Sequence, residues 1–412
     1  MSKIYNIKYL RGKECVFFVG LFMAFLILLP FNNARCEDTD EADRGEVSAP
    51  QTVKEELREG EKAEEKGEKK EVIKILSPYL GNINITGGVS GGWFATTNEG
   101  AGGKKDNFVL TNLLIDLSSE MENGLFGFNA GLGGVTTPSV FDSPDDAIPD
   151  FRIQYAAMNL RPIKSLPGLA FQGGLLQPNS GYECTYTFNN RNITVGAIAS
   201  QQPYNAAGAR ATYAFSEDFR IWSGIFKHRL ARDEYETEYV NEHGNVPSKN
   251  VQDSYSWEAG MNDNIGGVGL SLYHYHLTGL RHLTGVAAEY TINNLYMALN
   301  VDYWRWSSEM DRYFEDSSSI GAALYIAPSF KKFSLPLRLE YIQQGKSRIY
   351  LPNQDAENIY AAALTPTYNF TDNILIRTEA SYVHADNGFS TSKGKPKDDK
   401  SLFSLEEVVV KF

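Results

Sequence analysis

Few residues in this sequence have the types and spacing that support chemistry. His274 and His276 flank Tyr275, and His282 follows six residues later. Because alternate residues of a strand point the same way, both imidazoles of the pair would share a face. Imidazole is a common metal ligand, so a metal pair is feasible. Histidines in this pattern more often mark the polar end of a strand, and we predict no metal and no cofactor.

Motifs of the common enzyme classes are missing from the sequence. It contains no G-x-S-x-G nucleophile elbow, no H-E-x-x-H zinc helix and no phosphate-binding P-loop. We therefore expect no catalytic residue and no enzyme, although Ser, His and Asp side chains distant in sequence could still meet in space. The net charge of −12 and the sequence pI of about 5.1 exclude a basic nucleic-acid binder, because phosphate binding needs a concentrated positive surface.

Charged residues recur at alternate positions inside apolar runs, as in Leu337-Arg338-Leu339-Glu340-Tyr341. In a strand this alternation puts apolar side chains on one face and charges of both signs on the other. Several unpaired charges would be costly in a dry core, whereas a wall between lipid and water accommodates them. Small residues between the charges predict a hydrated lumen. The pore-lining candidates are Asp116, Arg152, Glu183, Arg191, Arg210, Glu289, Asp302, Arg338, Glu340, Arg377 and Glu379.

The N-terminal region divides into two segments. Residues 1–36 combine basic residues, an apolar run from Cys15 to Phe31 and small residues before Glu37, which predicts a secretory signal peptide. The alternative is an uncleaved membrane anchor. Residues 37–78 form a charged segment, read as a periplasmic linker or a short helix. Only Cys184 would remain after cleavage, so we expect no structural disulfide.

Residues 79–412 carry an all-β pattern of about sixteen amphipathic runs. No apolar run after Phe31 is long enough for a transmembrane helix, and a closed antiparallel β-barrel is the other permitted way to cross a membrane. Short connections alternate with long ones, as in an outer-membrane barrel with short periplasmic turns. Only the connection 278–281 is brief where a long one is expected. The predicted runs are 83–97, 108–119, 125–136, 151–162, 167–178, 203–215, 218–231, 252–261, 265–277, 282–291, 294–306, 316–327, 332–345, 357–368, 374–385 and 401–412.

One long connection, 179–202, is a candidate constriction. If it folds into the lumen, we expect Glu183 and Arg191 to face wall residues such as Arg152 and Arg210. Opposed charges across a pore screen solutes by charge and size. The alternative is an ordinary external loop over the mouth of the barrel.

Two stretches resemble the β-barrel porins of bacterial outer membranes. One is the Arg152–Arg229 region, with Gln154-Tyr155-Ala156, then Gly173-Gly174-Leu175-Leu176-Gln177-Pro178-Asn179, then Gly208-Ala209-Arg210-Ala211-Thr212-Tyr213. The other pairs Thr365-Pro366-Thr367-Tyr368 with Thr378-Glu379-Ala380-Ser381-Tyr382. The C-terminal Phe412, with Val410 and Val408 on its face, resembles the last-strand signal read by the barrel-assembly machinery. The resemblance implies a passive channel, and by analogy a homotrimer.

The resulting expectation is an outer-membrane porin, a water-filled diffusion channel for small hydrophilic solutes or ions, located in the bacterial cell outer membrane. Its expected partners are outer-membrane lipids, the assembly machinery and the solutes. The alternatives are a barrel with a structural or ligand-binding, adhesive role through its external loops, an outer-membrane enzyme, and a soluble periplasmic β protein. The sequence alone does not name the solute or the subunit count.

Overall fold

A computed structural model describes the protein over residues 73–77, 81–96, 106–119, 125–136, 138, 148–163, 165–227, 255–308, 310, 316–347, 349–350, 356–386, 389–390, 396–397 and 400–411. The predicted signal peptide and nearly all of the charged segment lie outside these residues. Within the described ranges, no helix has the length and apolar character needed to cross a membrane.

The described chain is built from strands and three short 3-10 helices, which span Thr187–Asn189, Ala199–Gln201 and Gly345–Ser347. The strands are β1 Ile73–Ser77, β2 Gly81–Thr96, β3 Asp106–Ser119, β4 Phe126–Val135, β5 Arg152–Leu160, β6 Leu169–Leu176, β7 Ala206–Ala214, β8 Arg220–Lys227, β9 Tyr255–Ile265, β10 Val268–Leu277, β11 Arg281–Ile292, β12 Leu295–Trp306, β13 Ser318–Phe330, β14 Phe333–Ser334, β15 Leu337–Gln343, β16 Asn358–Leu364, β17 Thr367–Asn369, β18 Ile374–Ala385, β19 Phe389–Ser390, β20 Pro396–Lys397 and β21 Lys400–Lys411.

Antiparallel pairing of neighbours runs from β2 to β21, and β21 pairs with β2, so the sheet closes into a barrel. The ring has sixteen positions, because β14 with β15 fills one position and β16 with β17 another, and because β1, β19 and β20 take no position in it. β19 and β20 pair only with each other, and β1 pairs with β2 beyond the end of β21. Pro336 and Pro366 lie at these two interruptions, where a residue without an N–H breaks the ladder. The predicted all-β, sixteen-stranded barrel is confirmed.

The two faces of the wall alternate as predicted. On β15, Leu339 is 42% exposed while Arg338 is fully buried inside the barrel. On β18, Ile376 is 39% exposed while Arg377 is 3% exposed. Period-two alternation therefore separates an outward apolar face from an inward charged face.

We call the two ends of the barrel the short-turn end and the long-loop end, after their connections. At the short-turn end the turn between β9 and β10 is formed by Gly266 and Gly267, both at positive φ (60° and 84°). The sequence pattern placed this turn at 262–264, which is wrong. Residues Asn262 and Asn264 instead pair within the β9–β10 ladder. Glycine adopts the left-handed conformation that a two-residue hairpin turn requires, which explains the later position.

The strand β1 lies within the stretch 37–78 that the sequence pattern assigned to a linker or short helix. It pairs with the first residues of β2, from Ile73 opposite Ile85 to Ser77 opposite Gly81. The last strand, β21, pairs with the rest of β2, ending with Lys411 opposite Gly88. Both neighbours are antiparallel to β2, so β1 continues the line of β21 along the same edge.

The inward face near the long-loop end carries large apolar side chains. Trp304, Ile342 and Leu283 are fully buried in one apolar cluster, together with Phe226 and Tyr275. The expectation of an inner face made of small residues between charges is wrong for this half of the lumen. Alternation shows which side chains point inward, but it does not show whether a loop covers them.

Candidate functional site

The candidate site is the connection between β6 and β7, residues 177–205, which we call the inner loop. Its described residues lie against the inward side chains of the wall, and most of the stretch from Tyr186 to Ala199 is buried. Of the two alternatives for the segment 179–202, a fold into the lumen is therefore the one that the structure has, and not an external loop over the mouth. The local structure of the inner loop allows this path, because two short 3-10 helices and the turn at Gly181 (φ 115°) let the chain fold back on itself.

The first anchor of the inner loop is an ion-pair cluster on β15. The Arg338 guanidinium lies 3.0 Å from Glu183 of the loop and 3.1 Å from Glu340 on its own strand. Arg338 also donates to the carbonyl oxygen of Thr194 at 2.6 Å. Three buried charges are thus arranged so that each has an opposite charge or a backbone group beside it, which offsets their desolvation.

Glu340 also holds the backbone of the inner loop. Its carboxylate oxygens accept the amide N–H groups of Ala197 and Ile198, each at 3.1 Å. The hydroxyl of Tyr325 on β13 donates to Glu183 at 2.9 Å. Charge-assisted hydrogen bonds of this kind are stronger than neutral ones. The same carboxylates therefore balance Arg338 and fix the loop backbone.

The second anchor is formed by β18 and β21. Glu379 accepts the N–H groups of Ile193 at 2.6 Å and Thr194 at 3.2 Å. Arg377 donates to the carbonyl oxygens of Thr187 and Asn190, each at 2.9 Å. Arg377 is in turn paired with Glu407 of β21 at 2.5 Å. Adjacent inward charges of opposite sign thus bind the N–H groups and the carbonyl groups of one loop.

The third anchor holds the two ends of the inner loop. Arg210 pairs with Glu258 of β9 at 2.7 Å and donates to the carbonyl oxygen of Gln177 at 2.5 Å. At the other end of the loop, Gln202 donates to Asp302 of β12 at 2.8 Å. Asp302 also accepts a hydrogen bond from the Tyr273 hydroxyl at 2.6 Å. The entry of the loop is therefore fixed to β7 and β9, and its exit to β12.

A cavity of about 580 Å³ lies beside the inner loop, toward the short-turn end. Arg191 and Glu289 meet there through Tyr296, because the Arg191 guanidinium lies 3.6 Å from the ring centroid and the ring hydroxyl donates to Glu289 at 2.8 Å. Lys331 lines the same space. The charged lining residues are Glu183, Arg191, Glu289, Lys331, Arg377 and Lys411. Four positive and two negative side chains make the lining net positive.

Burial in the inner loop also changes the acidity of its cysteine. Desolvation raises the pKa of the Cys184 thiol, and the nearby Asp116 carboxylate raises it further. Asn190 holds this part of the loop through hydrogen bonds of 2.8 Å from the Cys184 N–H and 2.7 Å to its carbonyl oxygen. The thiol is therefore a weak nucleophile in the folded chain.

Most of the predicted pore-lining residues meet the inner loop. Glu183, Arg338, Glu340, Arg377, Glu379 and Asp302 all bind or belong to the loop, and Asp116 lies near Cys184. Arg152 does not meet it, and lies exposed at the first position of β5.

The predicted pairs across the lumen are not those of the structure. Glu183 faces Arg338 and Arg191 faces Tyr296, rather than Arg152 and Arg210. The physical reason is the path of the loop, which crosses from β6 to the far arc of β12 to β18.

Two buried anchors were missed by sequence reasoning, Glu258 and Glu407. Both lie at inward positions beside exposed apolar residues, since Trp257 is 42% and Val408 is 48% exposed. The alternation that identified Arg338 would have found them if it had been followed through β9 and β21.

Residues 82–412 match the protein family described as "Putative beta-barrel porin-2, OmpL-like". No curated protein matches the chain. Porin-like barrels of this kind are proteins of the bacterial outer membrane.

The similar solved structures include three from different bacteria. In-vitro folded OmpT, an outer membrane protein of Vibrio cholerae, is 11% identical with a TM-score of 0.50, covering 82% of this chain and 99% of that chain. OprD of Pseudomonas aeruginosa is 11% identical with a TM-score of 0.50, covering 83% and 97%. A substituted porin of Rh. blastica is 12% identical with a TM-score of 0.50, covering 80% and 100%. At these identities the likeness shows the fold. The family match takes in most of the chain, and the protein therefore belongs to the OmpL-like β-barrel porin-2 family.

Proposed function

We propose that this protein is a passive channel of the bacterial outer membrane, through which small hydrophilic solutes or ions diffuse past the inner loop. The proposal rests on one observation above all: a loop fixed inside a closed barrel by buried ion pairs, beside a charged cavity. Its volume of about 580 Å³ is suited to a small molecule. Charged side chains lining a water-filled passage select solutes by sign and size. No catalytic step is part of the proposal.

Export and insertion complete the proposal. Residues 1–36 direct secretion, and the C-terminal sequence with Phe412 is recognised by the barrel-assembly machinery. The outward apolar face then contacts outer-membrane lipids, as the exposed Leu339 and Ile376 side chains require. Assembly as a homotrimer is proposed by analogy with wide porins. Membrane fractionation, and a gel shift between heated and unheated samples, test the location and the fold together.

The net positive lining gives the channel a preference for anions. Arg191, Lys331 and Lys411 outnumber the acids of the cavity, so the local potential attracts negative solutes. The test is conductance of the purified protein in planar lipid bilayers with a salt gradient. We expect stable single-channel steps and a reversal potential on the anion side.

A second function is favoured by the apolar cluster in the long-loop half. Trp304, Tyr350 and Ile342 are fully buried there, and a lumen filled in this way would suit a structural or ligand-binding, adhesive barrel. Bilayers that stay silent with folded protein would support this second function and contradict the channel. Swelling of protein-containing liposomes in small but not large sugars would support the channel independently.

A further inference from the structure

Three histidines meet on the outward face of the barrel, near the long-loop end. His274 and His276 belong to β10, and His282 lies directly opposite His276 on β11. The His276 and His282 ring centroids are 4.3 Å apart, and those of His274 and His282 are 6.3 Å apart. One ring nitrogen from each of the three lies within 4.8 Å of the other two. All three side chains are half-buried, and His276 and His282 lie close to the 278–280 connection at the rim of the barrel.

This spacing fits one metal ion after small side-chain rotations. Zinc binds imidazole nitrogen at about 2.0–2.1 Å, so tetrahedral ligands lie about 3.4 Å from one another. Rotations about the side-chain bonds close a gap of this size without moving the strands. Neutral imidazole suits zinc, copper and nickel better than calcium or magnesium, which prefer oxygen ligands.

The neighbours of the three histidines partly orient them. The His274 Nδ1 atom lies 2.8 Å from the Thr284 hydroxyl, which leaves Nε2 of that ring to face a metal. Trp257 of β9 stacks on His276 with ring centroids 5.4 Å apart. Arg305 lies opposite His282 on β12, and its positive charge disfavours a nearby cation. The site thus has an oriented donor, an apolar wall and one opposing charge.

We propose that His274, His276 and His282 form a binding site for an imidazole-preferring divalent transition metal ion, such as Zn²⁺. Three protein ligands leave the fourth position to water or an external ligand. The bound ion links β10 to β11 beside their short connection, 278–280. The site lies outside the lumen, so it does not depend on the proposed channel.

The test is titration of the full-length folded protein with Zn²⁺ alone, by calorimetry in detergent. We expect His276→Asn and His282→Asn each to weaken the tightest binding by about tenfold or more, since ligand and near-ligand losses have effects of this size. The matched control is His384→Asn, because His384 is also half-buried at the long-loop end, where it stacks on Tyr360 at 6.0 Å. This control should bind Zn²⁺ as the wild type does.

A further variant should change the Zn²⁺ affinity in the opposite direction, toward tighter binding. Arg305→Gln removes the opposing charge and should tighten Zn²⁺ binding several-fold. X-ray absorption of the zinc-loaded protein should show nitrogen ligands at about 2.0–2.1 Å. Unchanged Zn²⁺ affinity in His276→Asn and His282→Asn, with folding intact by heated and unheated gels, would overturn the proposal. Equal losses in His384→Asn would do the same.

Discussion

The two halves of the lumen differ in what fills them. In the long-loop half, Trp304, Ile342 and Tyr350 are fully buried in a continuous apolar cluster. In the short-turn half, Arg191 and Glu289 are exposed beside a cavity of about 580 Å³. One half is packed like a protein interior, and the other is lined like a binding pocket.

The inner loop joins these halves and uses charge differently in each. Near the cavity its Arg191 is exposed, so in the proposed channel its charge is available to act on solutes. Deeper in the lumen, the charges of Arg338 and Glu379 are buried and satisfied by loop backbone groups. Buried charges therefore hold the loop, and exposed charges are available for selectivity. The two roles can be separated by substitution.

Arg338→Met should have the largest effect. It leaves Glu183 and Glu340 buried without their partner, and breaking a buried pair in this way typically costs about 3–5 kcal/mol. We expect a lower free energy of unfolding and a released loop, with a several-fold larger single-channel conductance. Arg152→Met is the control, because Arg152 is exposed and makes no contact with the loop among the described residues. Wild-type conductance in Arg338→Met would show that this pair does not hold the loop.

Ile342→Ala tests the apolar packing of the long-loop half. The Ile342 side chain is fully buried, and removing such a side chain costs about 2–5 kcal/mol. Urea unfolding in lipid vesicles should show this loss, while the reversal potential stays unchanged. Leu339→Ala on the outward face of the same strand should cost less, because Leu339 is 42% exposed. Equal costs for the two variants would contradict a packed interior in this half.

Charge reversal tests the short-turn half of the lumen, which contains the cavity. Lys331→Glu should move the reversal potential toward cations, because Lys331 lines the cavity. The free energy of unfolding should change by no more than about 0.5 kcal/mol, as for most surface substitutions. Lys332→Glu is a matched control, since Lys332 is adjacent but donates to the carbonyl oxygen of Phe370. A shift of the same size in both variants would mean that selectivity arises outside the cavity.

The smallest expected effect concerns Cys184, whose thiol reports whether the inner loop is packed or released. Its raised pKa means that the reactive thiolate forms only at a pH above that of a free thiol. In a variant that lacks Cys15 and Cys36, maleimide labelling should therefore rise with pH later than in the unfolded chain. Adding Arg338→Met should move the midpoint back down. Labelling at the midpoint of the unfolded chain would show that the loop is open without any substitution.

The strands of the barrel wall could be predicted from the sequence, but the packing inside the lumen could not. Alternation around Arg338 and Arg377 identified both faces, because a strand has a fixed period of two. The order of long and short connections then gave the closed topology, and β18 begins and ends where the pattern placed it, at Ile374 and Ala385.

The partners across the lumen could not be read from the pattern. Which wall residue meets Glu183 depends on how far the loop travels before it turns, and this is set by many contacts together. The inward aromatic residues were misjudged for the same reason, since Trp304 points into water or into a packed cluster depending on the loops above it. Local rules describe a strand, whereas the interior depends on segments that are distant in sequence.

The placement of β1 also constrains the register of the closing seam. Because alternate residues face opposite sides, β21 can slide along β2 only in steps of two without turning its charges toward lipid. A four-residue slide toward the short-turn end would carry Lys411 to the position opposite Asn84, which Lys74 already occupies. The first strand thus acts as a stop for the last one and limits how far the seam can slide in that direction.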